Sequence, residues 1–398
     1  TPIKSSAASD VYKRQDMENE KLLCRNEVSH DESQEIEKAN FSALTLMLAQ
    51  ECNMRCSYCY GEGGEYNNKG IMTENVAFQA IDYLVKNSTD ELLHIAFLGG
   101  EPLLNFPLLK KVVEYCKQIS ADTGKKFSYT ITTNGTLITD NIEKYLTENK
   151  IVCQISLDGT KEKNDMNRFF RNKKGSYDVI VEKTKSMRHM NLVTARATVT
   201  PDNSDYKEIF NHLNELEFRA IPIAIAQNMV DDEQFDKILS EYINYIFYFE
   251  ELILTKQYAK AKKMTDLVNA LEKIEFGNVR NNGCGAGRTM FAVDIDGTLY
   301  PCHRFVGERK FALGNIWTGS DNSKFLKMIN VRNRDKCSKC WAQNLCLGCC
   351  PHENYTNTNN INLASERSCR MAKTIYEKLI SVYIKMSDED KKMMWPED

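Results

Sequence analysis

Three thiols fall within eight residues in Cys52-Asn-Met-Arg-Cys56-Ser-Tyr58-Cys59, a C-x3-C-x2-C run. Thiolates this close on one loop can hold three irons of a [4Fe-4S] cube and leave the fourth iron without a protein ligand. An iron with an open position can chelate a small bidentate molecule, much as a catalytic zinc keeps one position for water. A structural zinc site is the competing reading, although zinc knuckles normally supply four protein ligands and no histidine or fourth cysteine lies in this loop. A second constellation begins at Cys284 and Cys302, continues as Cys337-x2-Cys340-x5-Cys346-x3-Cys350, and closes at Cys369. Its C-x2-C spacing alone would permit zinc ribbons. The chain carries 14 cysteines in 398 residues and no signal peptide opens it. The expected compartment is a reducing cytoplasm, where clustered cysteines more often bind metal than form disulfides.

These residues need elements to position them. Strand-like apolar runs occur at 43–49, 93–98, 127–133, 151–157, 192–200 and 221–226. Helix-like periodic segments lie between them, near 73–87, 107–121, 139–148, 176–190 and 205–217. Six β/α units with short buried strands predict a parallel sheet covered by helices, as an open doubly wound sheet or a partial barrel. In both architectures ligands sit at the carboxyl ends of the strands. The thiol run follows the first strand, Gly99-Gly100-Glu101-Pro102 the second, Thr133-Asn134-Gly135 the third and Ser156-Leu157-Asp158-Gly159 the fourth, while Arg196 lies on the fifth. Asn134-Gly135 and Asp158-Gly159 could be turn formers and nothing more. Gly61, Gly63 and Gly64 would let the thiol loop fold closely on itself. A long helical stretch over 232–275 then precedes a cysteine-rich, turn-rich segment over 284–370, and a last amphipathic helix follows.

The run with Tyr58 at its aromatic position resembles the C-x3-C-x-aromatic-C signature of the radical S-adenosylmethionine (radical SAM) enzymes, and Gly99-Gly100-Glu101-Pro102 looks like that family's GGEP motif. The resemblance implies an α/β fold, a partial (β/α)6 TIM-like barrel followed by an iron-sulfur domain. It also implies that Cys52, Cys56 and Cys59 hold the radical cluster, that GGEP holds the amino group of the nucleotide's methionine portion, and that Asn134, Ser156 and Arg196 contact ribose and carboxylate. The later cysteines, with Gly297-x4-Cys302 among them, are similar to the seven-cysteine SPASM extension of radical SAM peptide-modifying enzymes. By that resemblance Cys337, Cys340, Cys346 and Cys369 make the second of two auxiliary clusters, and Cys284, Cys302 and Cys350 most of the first, for three [4Fe-4S] clusters in all. The implied division is a radical SAM core at 42–231, a helical linker at 232–283, a SPASM domain at 284–370 and a C-terminal helix at 371–398. Residues 1–15 include Ser5 to Gln15, SSAASDVYKRQ, which resembles the in-frame translation of a sequencing-library adapter, so 16–41 is expected to be a truncated native N-terminal segment.

Among SPASM enzymes, peptide maturation by a thioether or other side-chain cross-link competes with anaerobic sulfatase maturation, which oxidises a Cys or Ser to formylglycine. The sulfatase-maturing relatives carry an aspartate base directly after the second SPASM cysteine, where this chain has His303, and often an eighth cysteine where it has Met290. Peptide maturation is therefore the expected activity, with a precursor peptide as substrate and a flavodoxin or ferredoxin as electron donor. His303 and His352 are expected beside clusters. Cys349, next to Cys350, is either a substitute ligand or an adjacent thiol. Cys116 and Cys153 fall on apolar stripes and are expected in the core, while Cys24 fits no pattern. A net charge of −3 gives no pull toward nucleic acid, and no apolar run reaches the 18 or so residues of a membrane helix. A non-catalytic electron carrier or zinc module is the remaining alternative, but neither would need an open iron or GGEP.

Overall fold

The computed structural model describes residues 39–277 and 283–396, so the adapter-like stretch, Cys24 and most of the N-terminal segment lie outside the described residues. Its frame is one sheet. The strands are β1 (Ala43–Gln50), β2 (Gly70–Ile71), β3 (Leu92–Gly99), β4 (Lys126–Thr133), β5 (Val152–Ser156), β6 (Val193–Val199), β7 (Ile223–Ile225), β8 (Met290–Val293), β9 (Thr298–Tyr300), β10 (Gly314–Asn315) and β11 (Gly319–Ser320). Strands β1, β3, β4, β5, β6 and β7 run parallel in that order, the six expected from sequence. Helices cover one face of the sheet, so β3, β4, β5 and β6 alternate buried with partly accessible residues, and only the second half of β1 is buried continuously. Cys116 and Cys153 are both fully buried, as expected of core residues.

Two expected helices are broken. The 176–190 segment divides into Tyr177–Lys183 and Lys185–His189 at Thr184, whose hydroxyl donates back to the Ile180 carbonyl at 2.8 Å. The 232–275 stretch becomes Asp232–Leu254, Tyr258–Ala261 and Thr265–Glu275, with Lys256 left-handed at φ 63 where the first ends. The last long helix is Glu366–Lys385, capped by Ser365, so Cys369 lies in its first turn and the expected boundary at 370 falls inside it. The cysteine-rich segment also supplies what sequence did not show: β8 pairs parallel with β1, and β9, β10 and β11 extend the sheet beyond it in antiparallel register. Among the described residues no helix is long and apolar enough to cross a membrane.

Helices Tyr206–Glu215, Asp232–Leu254 and Thr265–Glu275 enclose Tyr206, Tyr242 and Tyr245, with the first two rings 4.9 Å apart, and the Tyr242 hydroxyl donates to Asp266 Oδ2 at 3.3 Å. Burial pushes the Asp266 carboxyl up from 3.8 to about 6. The folded chain therefore holds this proton more tightly than the unfolded chain, and stability falls as pH rises from about 4 through about 6. Ionisation above that window costs on the order of 3 kcal/mol. Asp266→Asn is expected to raise Tm over the parent at pH 7–8 and to lose that advantage at pH 4; an equal difference at both pH values in thermal melts would contradict the assignment.

Candidate active site

The thiol run leaves the end of β1 and is clipped to the residues that follow helix Lys161–Asn167. Arg55 N–H donates to the Phe169 carbonyl at 2.8 Å, Ser57 N–H to the Asn167 carbonyl at 3.0 Å, and Met54 bridges Phe170. Two guanidiniums then converge on the Cys52 carbonyl, Arg55 at 2.9 Å and Arg171 at 2.8 Å. Gly64, at φ 93, and Gly100 make the close approach possible: a Cβ on Gly64 would stand 2.6 Å from Gly100 Cα, and one on Gly100 would stand 2.3 Å from the Glu51 carbonyl oxygen. The first two residues of GGEP thus lie directly against the thiol loop. Burial pushes the Cys52 thiol up to about 11 and raises Cys56 as well, so these two persist as thiolates only with a bound cation to compensate. Three soft sulfur donors in a glycine-lined cradle fit an iron-sulfur cube.

Glu101 is fully buried and its carboxylate is occupied: it accepts from Leu103 N–H at 3.0 Å, the Thr133 hydroxyl at 2.7 Å and Asn134 N–H at 2.8 Å. It ties the end of β3 to the end of β4, and Pro102 starts the short turn that follows. Asn134 is turned to the thiol loop, with its amide donating to Asn53 Oδ1 at 2.9 Å and lying 3.8 Å from Cys52 Sγ. The Tyr58 hydroxyl donates to buried Asp158 at 2.5 Å and accepts from Arg168 at 2.7 Å. Asp158 also accepts from Thr198 N–H at 2.9 Å, fixing the aromatic position of the loop to β6. Ser156 stands opposite Arg196 in the β5–β6 register.

The cation beside this constellation is Arg168, which sequence reading passed over because it belongs to no recognisable motif. Its charged surroundings are Cys56, Tyr58 and Asp158. The groups around Arg196 are Asp266, Arg304, Tyr60 and Glu353. The backbone bonds that clip 167–169 to the thiol loop bring Arg168 to the cradle, whereas Arg196 reaches inward from a strand.

The later cysteines form two groups. Cys302, pushed up to about 12 by burial, has Cys350 and Cys284 as its neighbouring thiols. Cys369 has Cys346, Cys337 and Cys340. Cys349 goes with the second group, its sulfur 3.5 Å from Cys346 Sγ and 3.7 Å from the Ser368 carbonyl oxygen. Three successive left-handed residues, Leu347 at φ 54, Gly348 at φ 80 and Cys349 at φ 63, turn it away from Cys350. Among the described residues no three His, Cys, Asp or Glu side chains converge on one point as a single zinc ion would need.

Between the thiol loop and the first of these groups lies a cluster of polar side chains. The Arg304 guanidinium carbon sits 5.4 Å from the Tyr60 ring centre, and Arg304 pairs with Glu353 at 2.9 Å. The His303 ring lies 6.5 Å from that of Tyr60. Burial first, then the nearby Arg304, hold both His303 and His352 down to about 4, so both imidazoles are neutral at pH 7.

Comparison with known proteins places this geometry. The family model "Radical SAM superfamily" matches residues 47–216, and "SPASM: Iron-sulfur cluster-binding domain" matches residues 284–341. A cysteine-type anaerobic sulfatase-maturating enzyme of Clostridium novyi (strain NT) is 26% identical over 373 residues, covering 86% of this chain and 96% of that protein. The radical SAM cyclopropyl synthase TigE of Paramaledivibacter caminithermalis is 22% identical, covering 85% of this chain and 74% of TigE. The solved structure of native anSMEcpe with bound AdoMet and Cp18Cys peptide superposes with a TM-score of 0.71 at 22% identity, covering 87% of this chain and all of the other. The chain belongs to the radical SAM superfamily and carries a SPASM domain. It is an enzyme that uses S-adenosylmethionine with a [4Fe-4S] cluster, and its SPASM domain binds auxiliary iron-sulfur clusters.

Proposed function

We propose that this enzyme modifies a cysteine-containing precursor peptide by joining its sulfur to a carbon of another residue. The observation that carries the reading is the first SPASM group, which stops at Cys284, Cys302 and Cys350 because Cys349 is turned to the second group. Met290 lies on β8, where sulfatase-maturing relatives carry an eighth cysteine. One coordination position of that cluster is then left for a substrate ligand, and a thiolate is the peptide group best suited to iron. Peptides suit the relatives too: the anSMEcpe structure holds a Cys peptide.

S-adenosylmethionine bound at the radical cluster supplies a 5′-deoxyadenosyl radical, which removes hydrogen from an unactivated carbon as no acid–base side chain can. The chain's own residues bind and orient. Cys52, Cys56 and Cys59 anchor the cluster, and the GGEP backbone, Asn134 and Ser156 line the nucleotide site. Arg168 offers the guanidinium for the nucleotide's carboxylate that Arg196 was expected to supply. Tyr58, held between Arg168 and Asp158, keeps the loop in place, and the clustered side chains of Tyr60, His303 and Arg304 screen the reacting carbon from water. A flavodoxin or ferredoxin delivers the electrons.

Met290→Cys is expected to fill the vacancy and suppress cross-linking at least tenfold while reductive cleavage of S-adenosylmethionine continues. Cross-linking at the parent rate, with the new thiolate demonstrably on iron, would remove the reading. Sulfatase maturation is the second reading, favoured by the Clostridium novyi relative. Mass spectrometry separates the two, because a thioether keeps the peptide's sulfur and loses only hydrogen, whereas formylglycine formation from cysteine releases the sulfur.

A further inference from the structure

Arg196 stands on the inward face of β6, where Thr194, Arg196 and Thr198 alternate with fully buried Val193, Ala195, Ala197 and Val199. Among the described residues it makes no side-chain hydrogen bond or ion pair. It lies deep in the molecule yet remains partly accessible. None of the charged groups around it pairs with it directly. Glu353 is already paired with Arg304 at 2.9 Å. Asp266 directs one oxygen to the Tyr242 hydroxyl at 3.3 Å, and its other oxygen is buried without a partner. Arg304 and neutral His303 add no negative charge. A planar guanidinium removed from bulk water and left with its donors open is a receptor for a planar anion that accepts two parallel hydrogen bonds.

We infer that Arg196 receives a carboxylate of the peptide, an Asp or Glu side chain or the free C-terminus, close to the residue being modified. The inference rests on the peptide-modifying reading above and gives it a substrate class: peptides with an acidic group beside the reacting cysteine. The neighbouring Arg304 is paired with Glu353 within the chain, whereas Arg196 keeps its donors free for a group that the substrate brings.

The test uses the reconstituted holoenzyme and a displayed library of cysteine-containing peptides with random flanks, its C-termini joined to the display carrier so that no free carboxylate is present. Sequencing the modified pool should show Asp and Glu enriched at fixed offsets from the cysteine, and Asp→Asn in one selected peptide should lower its modification by roughly 10- to 100-fold. If the C-terminus is the source instead, a synthetic peptide with a free carboxylate should be modified and its amide should not. Arg196→Glu, checked for full iron content, should reverse the preference toward Lys and Arg. Uniform loss over all peptides in Arg196→Glu, as a nucleotide contact would produce, overturns the inference, and so does a parent enzyme indifferent to acidic groups in both arms. The Asp→Asn comparison needs no protein variant and decides the matter if Arg196→Glu does not fold. A parent enzyme that cleaves S-adenosylmethionine but modifies no peptide overturns the peptide reading itself, and this inference with it.

Discussion

Replacement of Cys52, Cys56 and Cys59 by alanine is expected to abolish reductive cleavage of S-adenosylmethionine while the iron of the SPASM domain remains. The loop itself should survive the change. It is held by backbone bonds from Arg55 and Ser57 to Phe169 and Asn167, and by Arg55 and Arg171 on the Cys52 carbonyl, none of which needs a sulfur. What disappears is the set of three thiolates on which one cluster depends, and no fourth cysteine lies in the loop to replace them. Iron should fall by about one third, one cube of three, with cleavage lost entirely. Any variant that keeps full cleavage activity would refute the assignment of this loop.

Replacing Cys337 and Cys340 together should remove about one cluster of iron and eliminate peptide modification. The surrounding segment has little else to hold it: over 331–350 the fully buried apolar residues are Val331, Ala342 and Leu347, and the helices Asp335–Ser338 and Gln343–Cys346 are single turns. Metal binding in such a segment supplies folding energy directly. Arg334, buried and directed at the carbonyls of Gly348 and Ile329, would also lose the neighbouring thiolate of Cys337. This pair is the informative choice because Cys346 has a second thiol, Cys349, 3.5 Å away. Limited proteolysis should show new cuts within 331–350. Iron equal in parent and variant, with zinc bound to the parent and lost from the variant, would favour paired zinc ribbons.

The barrel was legible because short apolar runs such as Ala43-Leu-Thr-Leu-Met-Leu-Ala49 recur between helical segments, and Val193 to Val199 alternates as a half-buried strand does. β8 was not, since Met290-Phe-Ala-Val293 is four residues long and closely followed by Asp294-Ile-Asp-Gly297, which reads as a turn. Lys256 breaks the long helix at φ 63 with neither glycine nor proline nearby to announce it. The two later cysteine groups could be anticipated because spacing along the chain is their signal, and the fold gathers Cys284, Cys302 and Cys350 apart from Cys337, Cys340, Cys346 and Cys369. Arg168 and Arg196 could not be told apart that way: each is one arginine in an ordinary segment, and only the clip between 167–169 and the thiol loop decides which of them reaches the cradle. The direction of Cys349 hangs on a leucine in the left-handed region, a conformation no sequence pattern predicts for that residue.

The pairing of β8 with β1 sets an order of events during synthesis. β1 emerges from the ribosome early, yet its partner at Met290–Val293 comes from the far end of the chain. Until then β2 covers only Ala49 and Gln50 on that side, and Ala43 to Leu46 form an apolar edge with unpaired backbone groups, the kind of surface that recruits another chain. Contacts this distant in sequence also form slowly. The nascent enzyme therefore passes through a stage in which the barrel is assembled on five sides and open at the strand that leads into Cys52, and chain association competes with closure throughout that stage. Expression yield should accordingly depend on how quickly the SPASM segment is translated and loaded with iron, and a chain cut short before Met290 should be recovered mainly as aggregate.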